Sequence, residues 1–244
     1  MKGPRKLLLF DIDGTLVDTG GAGLTALRDG FHEAFPQHRE EEFPPLELGG
    51  ATDHGVAMGL FEHFGLDDHP EHRNRFFSAY TVRLEQGLAA HSVIGKARVL
   101  PGVTDVLARR SARGEHRVAV LTGNLREGAR IKLRHFGIDH HFSLEAGAYG
   151  DDHHDRNELG PIAHRRAAVF FGEEFAPEDI VVIGDTLRDI ACARAFGARV
   201  LAVATGAASR EELEKGRPDG LVEDLTDIAE VERWLEDCNG ESMP

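Results

Sequence analysis

"LLLFDIDGTLVDTG", residues 7–20, decides the fold. Four apolar residues run without a polar interruption, and then Asp11 and Asp13 arrive one residue apart before a turn at Gly14. The run reads as a buried strand. Two carboxylates at its mouth are costly to desolvate unless something compensates them. That cost points to a site.

Three further runs share this character: RVAVLTG (117–123), DIVVIGD (179–185) and ARVLAVATG (198–206). They are rich in Val, Ile and Leu and do not alternate with polar residues, the pattern of parallel strands covered on both faces. Helical patterns lie between them. LREGARIKLRHFG (125–137) sets Leu125, Ala129, Leu133 and Phe136 on one stripe and stops at Gly137. TLRDIACARAFGA stops at Gly197, and PGVTDVLARRSARG (101–114) has Pro at its start and Gly at its end. Strand, loop and helix in repetition predict an α/β fold with a doubly wound parallel sheet.

Between about 18 and 95 that rhythm breaks. GLTALRDGFHEAF (23–35), DHGVAMGLFEHFG (53–65) and EHRNRFFSAYTVRLEQGL (71–88) read as helices, with no buried strand among them. The expected organisation is an α/β core of residues 1–17 and 96–244, with an all-helical insertion over 18–95 after the first strand. The tail CNGESMP is expected to fray.

At 244 residues, 41% hydrophobic and 29% charged, the chain is of ordinary globular composition, long enough for one core plus an insertion. A formal charge of -14 disfavours nucleic acid or a membrane surface as partner. A local cation would still admit a small anionic substrate. Cys192 and Cys238 show no metal or disulfide spacing, and Cys192 reads as a packed helix residue. No apolar run approaches a membrane span, and the basic start has too short an apolar run for a signal peptide. A reducing cytoplasm is the expected location.

In an open parallel sheet, ligands bind beyond the carboxyl ends of the strands. Those ends carry Asp11 and Asp13, then Thr122, Gly123 and Asn124, then Asp185 and Asp189. Carboxylates crowded there repel strongly, and a divalent hard cation resolves the repulsion. Oxygen donors without cysteine suit Mg²⁺, which keeps waters and accepts a phosphate oxygen. In an extended segment Asp11 and Asp13 face the same way, so one could attack while the other moves a proton. The TGN loop before a helix offers N–H donors and a hydroxyl to an anion.

DIDGT, LTGN and GDTLRD, in that order at strand ends, resemble the haloacid dehalogenase superfamily of aspartyl-phosphate-forming hydrolases. Within it the chain is most similar to small-molecule phosphatases of the phosphoglycolate-phosphatase type. The resemblance implies a Rossmann-like core with a mobile helical cap. It makes Asp11 the nucleophile on phosphorus, and Asp13 the acid for the leaving oxygen and then the base for water. Mg²⁺ would be held by the Asp11 carboxylate, the Asp13 backbone carbonyl and Asp185, with Asp189 supporting. Thr122 and the N–H groups of Gly123 and Asn124 would hold the phosphoryl oxygens. The implied activity is Mg²⁺-dependent hydrolysis of a small phosphorylated metabolite by a monomer or homodimer. A phosphomutase of the same superfamily, a phospho-accepting signalling module and a non-catalytic relative stand as alternatives. Residues 18–95 contain no lysine, which removes the Schiff-base, phosphonate-cleaving relatives. Asp13 and Asp185 argue against a carbon–halogen hydrolase.

The family's third motif supplies a basic side chain, usually Lys. The chain has five lysines, none of them in the segment GAYGDDHHDRNELGPIAHRRAAVFFG. Arg156 is the expected substitute, since guanidinium chelates phosphate with two parallel bonds. Lys132, seven residues into the helix after TGN, is the rival and is expected to be a solvated surface residue. DDHHD (151–155) reads as a polar loop, with His153 and His154 partly in solvent. In LGGATDHGVA, Thr52 and His54 are candidate specificity residues, and helix capping by Thr52 or Asp53 is the competing reading.

Overall fold

The computed structural model describes residues 5–113 and 116–236. Cys238, the tail from 238 onward and the helix-stopping Gly114 lie outside the described residues.

The first apolar run forms β1 (Leu7–Phe10), whose four side chains are all buried. The other three form β4 (Arg117–Val120), β5 (Ile180–Gly184) and β6 (Arg199–Val203). With β7 (Gly220–Val222) they make a parallel sheet in the order β4-β1-β5-β6-β7. Leu7 pairs with Arg117 on one side and Ile180 on the other, and Phe10 with Val120 and Ile183. β1 is therefore central, which is why its sequence is apolar on both faces.

Side-chain alternation splits the interior in two. Leu8 and Phe10 join Val120, Val181 and Ile183 on one face. There Val103 and Leu107 come from α4 (Val103–Arg113), and Ala129 and Leu133 from α5 (Arg126–His135). Leu7 and Leu9 face the other way, onto Leu159 and Ala163 of α6 (Leu159–Phe171) and Cys192 and Ala193 of α7 (Leu187–Ala195). Helices cover both faces of one sheet, as the sequence pattern requires. Cys192 is a buried residue of α7.

Residues 18–95 form α1 (Ala22–Ala34), α2 (Asp53–His63) and α3 (Pro70–Val93). Their core is aromatic. Phe31 stacks on Phe64 at 4.6 Å and meets Phe76 edge-on at 5.6 Å. Gly30 lets α1 and α3 touch at the backbone, since a Cβ there would lie 2.7 Å from the Tyr80 amide nitrogen. Two short strands absent from the sequence reading, β2 (Val17–Asp18) and β3 (Arg98–Val99), pair antiparallel where the chain leaves for these helices and returns. No described helix is long and apolar enough to cross a membrane.

Candidate active site

The core strand that follows β1 (β4) lies to one side of the sheet and the one that follows β5 (β6) to the other, so the neighbours β1 and β5 leave a crevice at their carboxyl ends, the switch point of the fold. Asp11 and Asp185 stand there. The Asp11 amide still donates to the Ile183 carbonyl at 2.9 Å, so the first carboxylate is held by the sheet itself. The chain then turns tightly, with the Gly14 amide donating to Val17 and Gly14 in the left-handed region at φ 77°. A side chain at Gly14 is doubly excluded, because its Cβ would lie 2.3 Å from Asp185 Oδ2. Gly206 presses on the same oxygen from the other side. The Thr15 hydroxyl donates to Asp185 Oδ1 at 2.9 Å.

Asp189 completes the acidic group. One oxygen from each of Asp11, Asp185 and Asp189 lies within 4.8 Å of the others, and all three residues are buried. Asp189 is heavily engaged already. Its Oδ2 accepts from the Thr186 amide and hydroxyl in the capping box of α7, and its Oδ1 accepts from Arg156. It anchors the cluster and leaves Asp11 and Asp185 facing the crevice.

Burial pushes the Asp11 carboxyl up to about 6, with Arg156 opposing and Asp189 adding to the rise. Burial pushes Asp185 further, to about 8, helped by the charges of Asp189 and Asp11. The group is short of positive charge. The oxygen donors of Asp11, Asp185 and Asp189 in this glycine-walled cradle fit a hard divalent cation such as Mg²⁺.

Two cations enter from different elements. Arg156, at the start of a 3₁₀ turn leading into α6, is 6% exposed. Its Nη2 binds Asp189 and lies 3.3 Å from Asp11 Oδ1, and its Nη1 donates to the Gly50 carbonyl at 3.3 Å. Burial opposes its charge, but Asp189 and Asp11 more than offset that and hold it well above the usual arginine range.

Lys132 corrects the sequence reading. It is 3% exposed rather than solvated. Its Nζ donates to Asp13 Oδ2 at 2.6 Å and to Asn124 Oδ1. The side chain leans back toward the start of α5, and Leu84 and Tyr80 of α3 cover that face of the helix at Gly128. Asn124 bridges the two strand ends, its Nδ2 donating to Asp13 Oδ2 and to Thr122 Oγ1 at 2.8 Å each. Thr122 is fully buried beneath.

The inserted helices reach this site through residues 50–53. Thr52 caps α2, accepting from the Gly55 amide, and its hydroxyl donates to the His154 carbonyl at 2.6 Å. His54 is turned toward Asp68 and the His154 ring. Neither lines the cavity over the acids, whereas Asp53 does. The Asp53 amide donates to the Gly123 carbonyl at 2.7 Å, and its Oδ2 accepts from the Leu125 amide at 2.8 Å. Burial pushes its carboxyl up to about 6 against the pull of Lys132. The capping pattern around Thr52 was visible in sequence, but nothing local marked Asp53 as the residue that docks on the TGN loop. Elsewhere His153 folds back to accept from the Asp155 amide at 3.0 Å, and Asp152 forms a two-toothed pair with Arg166. The DDHHD loop is thus occupied with its own structure.

Comparison with known proteins agrees with this geometry. The chain is 26% identical over 226 residues to a phosphoglycolate phosphatase of Nitrosococcus oceani, covering 91% of this chain and 94% of that one. It is 24% identical over 226 residues to the pyrophosphatase PpaX of Bacillus pumilus, covering 92% and 94%. The fold matches a hydrolase from Pseudomonas syringae with a TM-score of 0.64 at 19% identity, over 93% of this chain and 97% of that one. The family model for haloacid dehalogenase-like hydrolases matches residues 8–194, a span that holds every acid and cation described above. The chain belongs to the haloacid dehalogenase-like hydrolases.

Proposed function

We propose that the protein is a Mg²⁺-dependent phosphatase that hydrolyses a small phosphomonoester through an aspartyl-phosphate on Asp11. One observation carries the reading: Asp11, Asp185 and Asp189 converge within 4.8 Å at the switch point, with Asp13 two residues past Asp11 and paired to Lys132. The phosphatase names of the relatives support it.

A magnesium ion bound there would screen phosphoryl charge and neutralise the crowded acids. Asp11 attacks phosphorus through a carboxylate oxygen, forming an acyl-phosphate bond as the bond to the leaving oxygen breaks. Asp13 delivers a proton to that oxygen, and the alcohol leaves. Asp13 then takes a proton from water, which attacks the same phosphorus. Inorganic phosphate departs and Asp11 is regenerated. Arg156 orients Asp11 and opposes the burial that disfavours its ionised form, and Lys132 and Asn124 position Asp13. Thr122 and Gly123 line the cavity over the acids and would border the phosphoryl group.

With a charge of -14 on the chain, these two local cations are what lets an anion approach, and a small cytoplasmic metabolite is the substrate class that fits. The test is sustained hydrolysis of p-nitrophenyl phosphate with Mg²⁺, abolished by chelation and reduced at least about a thousandfold in Asp11→Asn. Turnover that survives in Asp11→Asn overturns the nucleophile assignment.

A further inference from the structure

The cavity over the acids has two unlike halves. On the sheet side it is lined by the machinery described above. On the side of the inserted segment it is lined by Leu24, Leu27, Leu48 and Val56, with Thr19, Tyr80 and Asp53 as the side chains bearing hydroxyl or acidic groups. The described residues of the inserted helices contribute no Lys, Arg or His to this lining. The two cations that do line it come from the core and are committed, Lys132 to Asp13 and Asn124, and Arg156 to Asp11 and Asp189.

On the phosphatase reading, the leaving group would occupy this second half. An anionic one, carrying a carboxylate or a further phosphate, would meet leucine and valine side chains and the Asp53 carboxyl with no cation to receive it. Asp53 spends Oδ2 on the Leu125 amide and is fixed at the wall by the hydrogen bond its own amide donates to the Gly123 carbonyl. Tyr80 is 1% exposed and projects from α3 to the cavity wall, and its hydroxyl has no hydrogen-bond partner among the described residues. Burial, with Asp53 and Asp13 adding to it, holds that phenol well above its usual range, so it is a neutral donor and acceptor. A volume of about 270 Å³ must also hold the phosphoryl group, which keeps the leaving group small.

Resting on the phosphatase reading, we propose that the site selects phosphomonoesters of small uncharged or amine-bearing alcohols and discriminates against leaving groups that carry a second anion. Tyr80 receives the alcohol's own hydroxyl or amine, and Asp53 repels carboxylate and phosphate. The preference thus differs from the substrates named for the relatives above.

The test is a matched series of near-equal size, assayed with Mg²⁺: 2-hydroxyethyl phosphate, O-phosphoethanolamine and 2-phosphoglycolate, with ethyl phosphate as the member lacking a second polar group. kcat/KM for the first two should exceed that for 2-phosphoglycolate by at least about tenfold. Tyr80→Phe should lower the preference for 2-hydroxyethyl phosphate over ethyl phosphate by about fivefold, a ratio that mere loosening of α3 would not move. Asp53→Asn should narrow the gap between O-phosphoethanolamine and 2-phosphoglycolate. Equal or faster turnover of 2-phosphoglycolate overturns the proposal and leaves the phosphatase reading standing. No turnover of any member or of p-nitrophenyl phosphate overturns both.

Discussion

The Lys132 ammonium lies 2.6 Å from the Asp13 carboxylate, across 119 residues of chain, and is buried where it does so. It is paired with the residue assigned to proton transfer, while Arg156 is paired with the residue assigned to attack. The two cations divide between the two aspartates. Lys132→Met should therefore cut kcat for p-nitrophenyl phosphate at least about tenfold, with Lys132→Arg recovering only part of it. Wild-type turnover in Lys132→Met would show the pair to be structural.

Arg156 has a heavier structural share. Its removal leaves Asp11 and Asp189 buried together without a counter-charge. Arg156→Ala should lose most turnover and about 3 kcal/mol of unfolding free energy in urea, since breaking a buried pair strands the partner's charge. Arg156→Lys should restore more stability than activity, because an ammonium cannot reach Asp189, Asp11 and the Gly50 carbonyl at once.

The raised carboxyls give a pH signature to the metal-free protein. Asp11 and Asp185 are held at about 6 and about 8, above their ordinary value, so the fold favours their protonated forms. That contribution is complete below about pH 4 and is lost as pH rises through 6 to 8. Chelated protein should lose thermal stability between about pH 4 and pH 8 and level off above, and Asp185→Asn should flatten the fall. Saturating Mg²⁺ should raise Tm by roughly 5–10 °C, and more at the alkaline end. A Mg²⁺ effect independent of pH would contradict the cluster as its site.

Gly150 tests the docking of residues 50–53. A Cβ there would lie 1.8 Å from the Gly123 carbonyl and 2.9 Å from the Asp53 amide. Gly150→Ala should push Asp53 off the TGN loop and lower kcat/KM at least about tenfold, while the Mg²⁺-induced rise in Tm, which depends on Asp11 and Asp185, persists. Unchanged kcat/KM would mean the docked arrangement is not the one that turns over.

The central strands and their acids were legible in sequence because parallel strands buried on both faces cannot hide their composition, and their ends carry the chemistry. The edge strand β7 was not. Of its three residues, Gly220 and Leu221 are only partly buried and Val222 alone is buried, so it carries no long apolar run. Lys132 was misjudged by counting the distance of its Cα along α5. The side chain's backward lean and the covering of that face by α3 are tertiary facts. Asp53 escaped for a related reason, since its partners Gly123 and Leu125 lie some 70 residues downstream and the local pattern around it is an ordinary cap.

The pairing of Val17 with Val99 brings the outgoing and returning chain to neighbouring positions about 5 Å apart. Any module whose own ends lie that close could be spliced at the same point without disturbing the sheet. The sheet that carries the acids and the helices that close over them are thereby free to diversify separately.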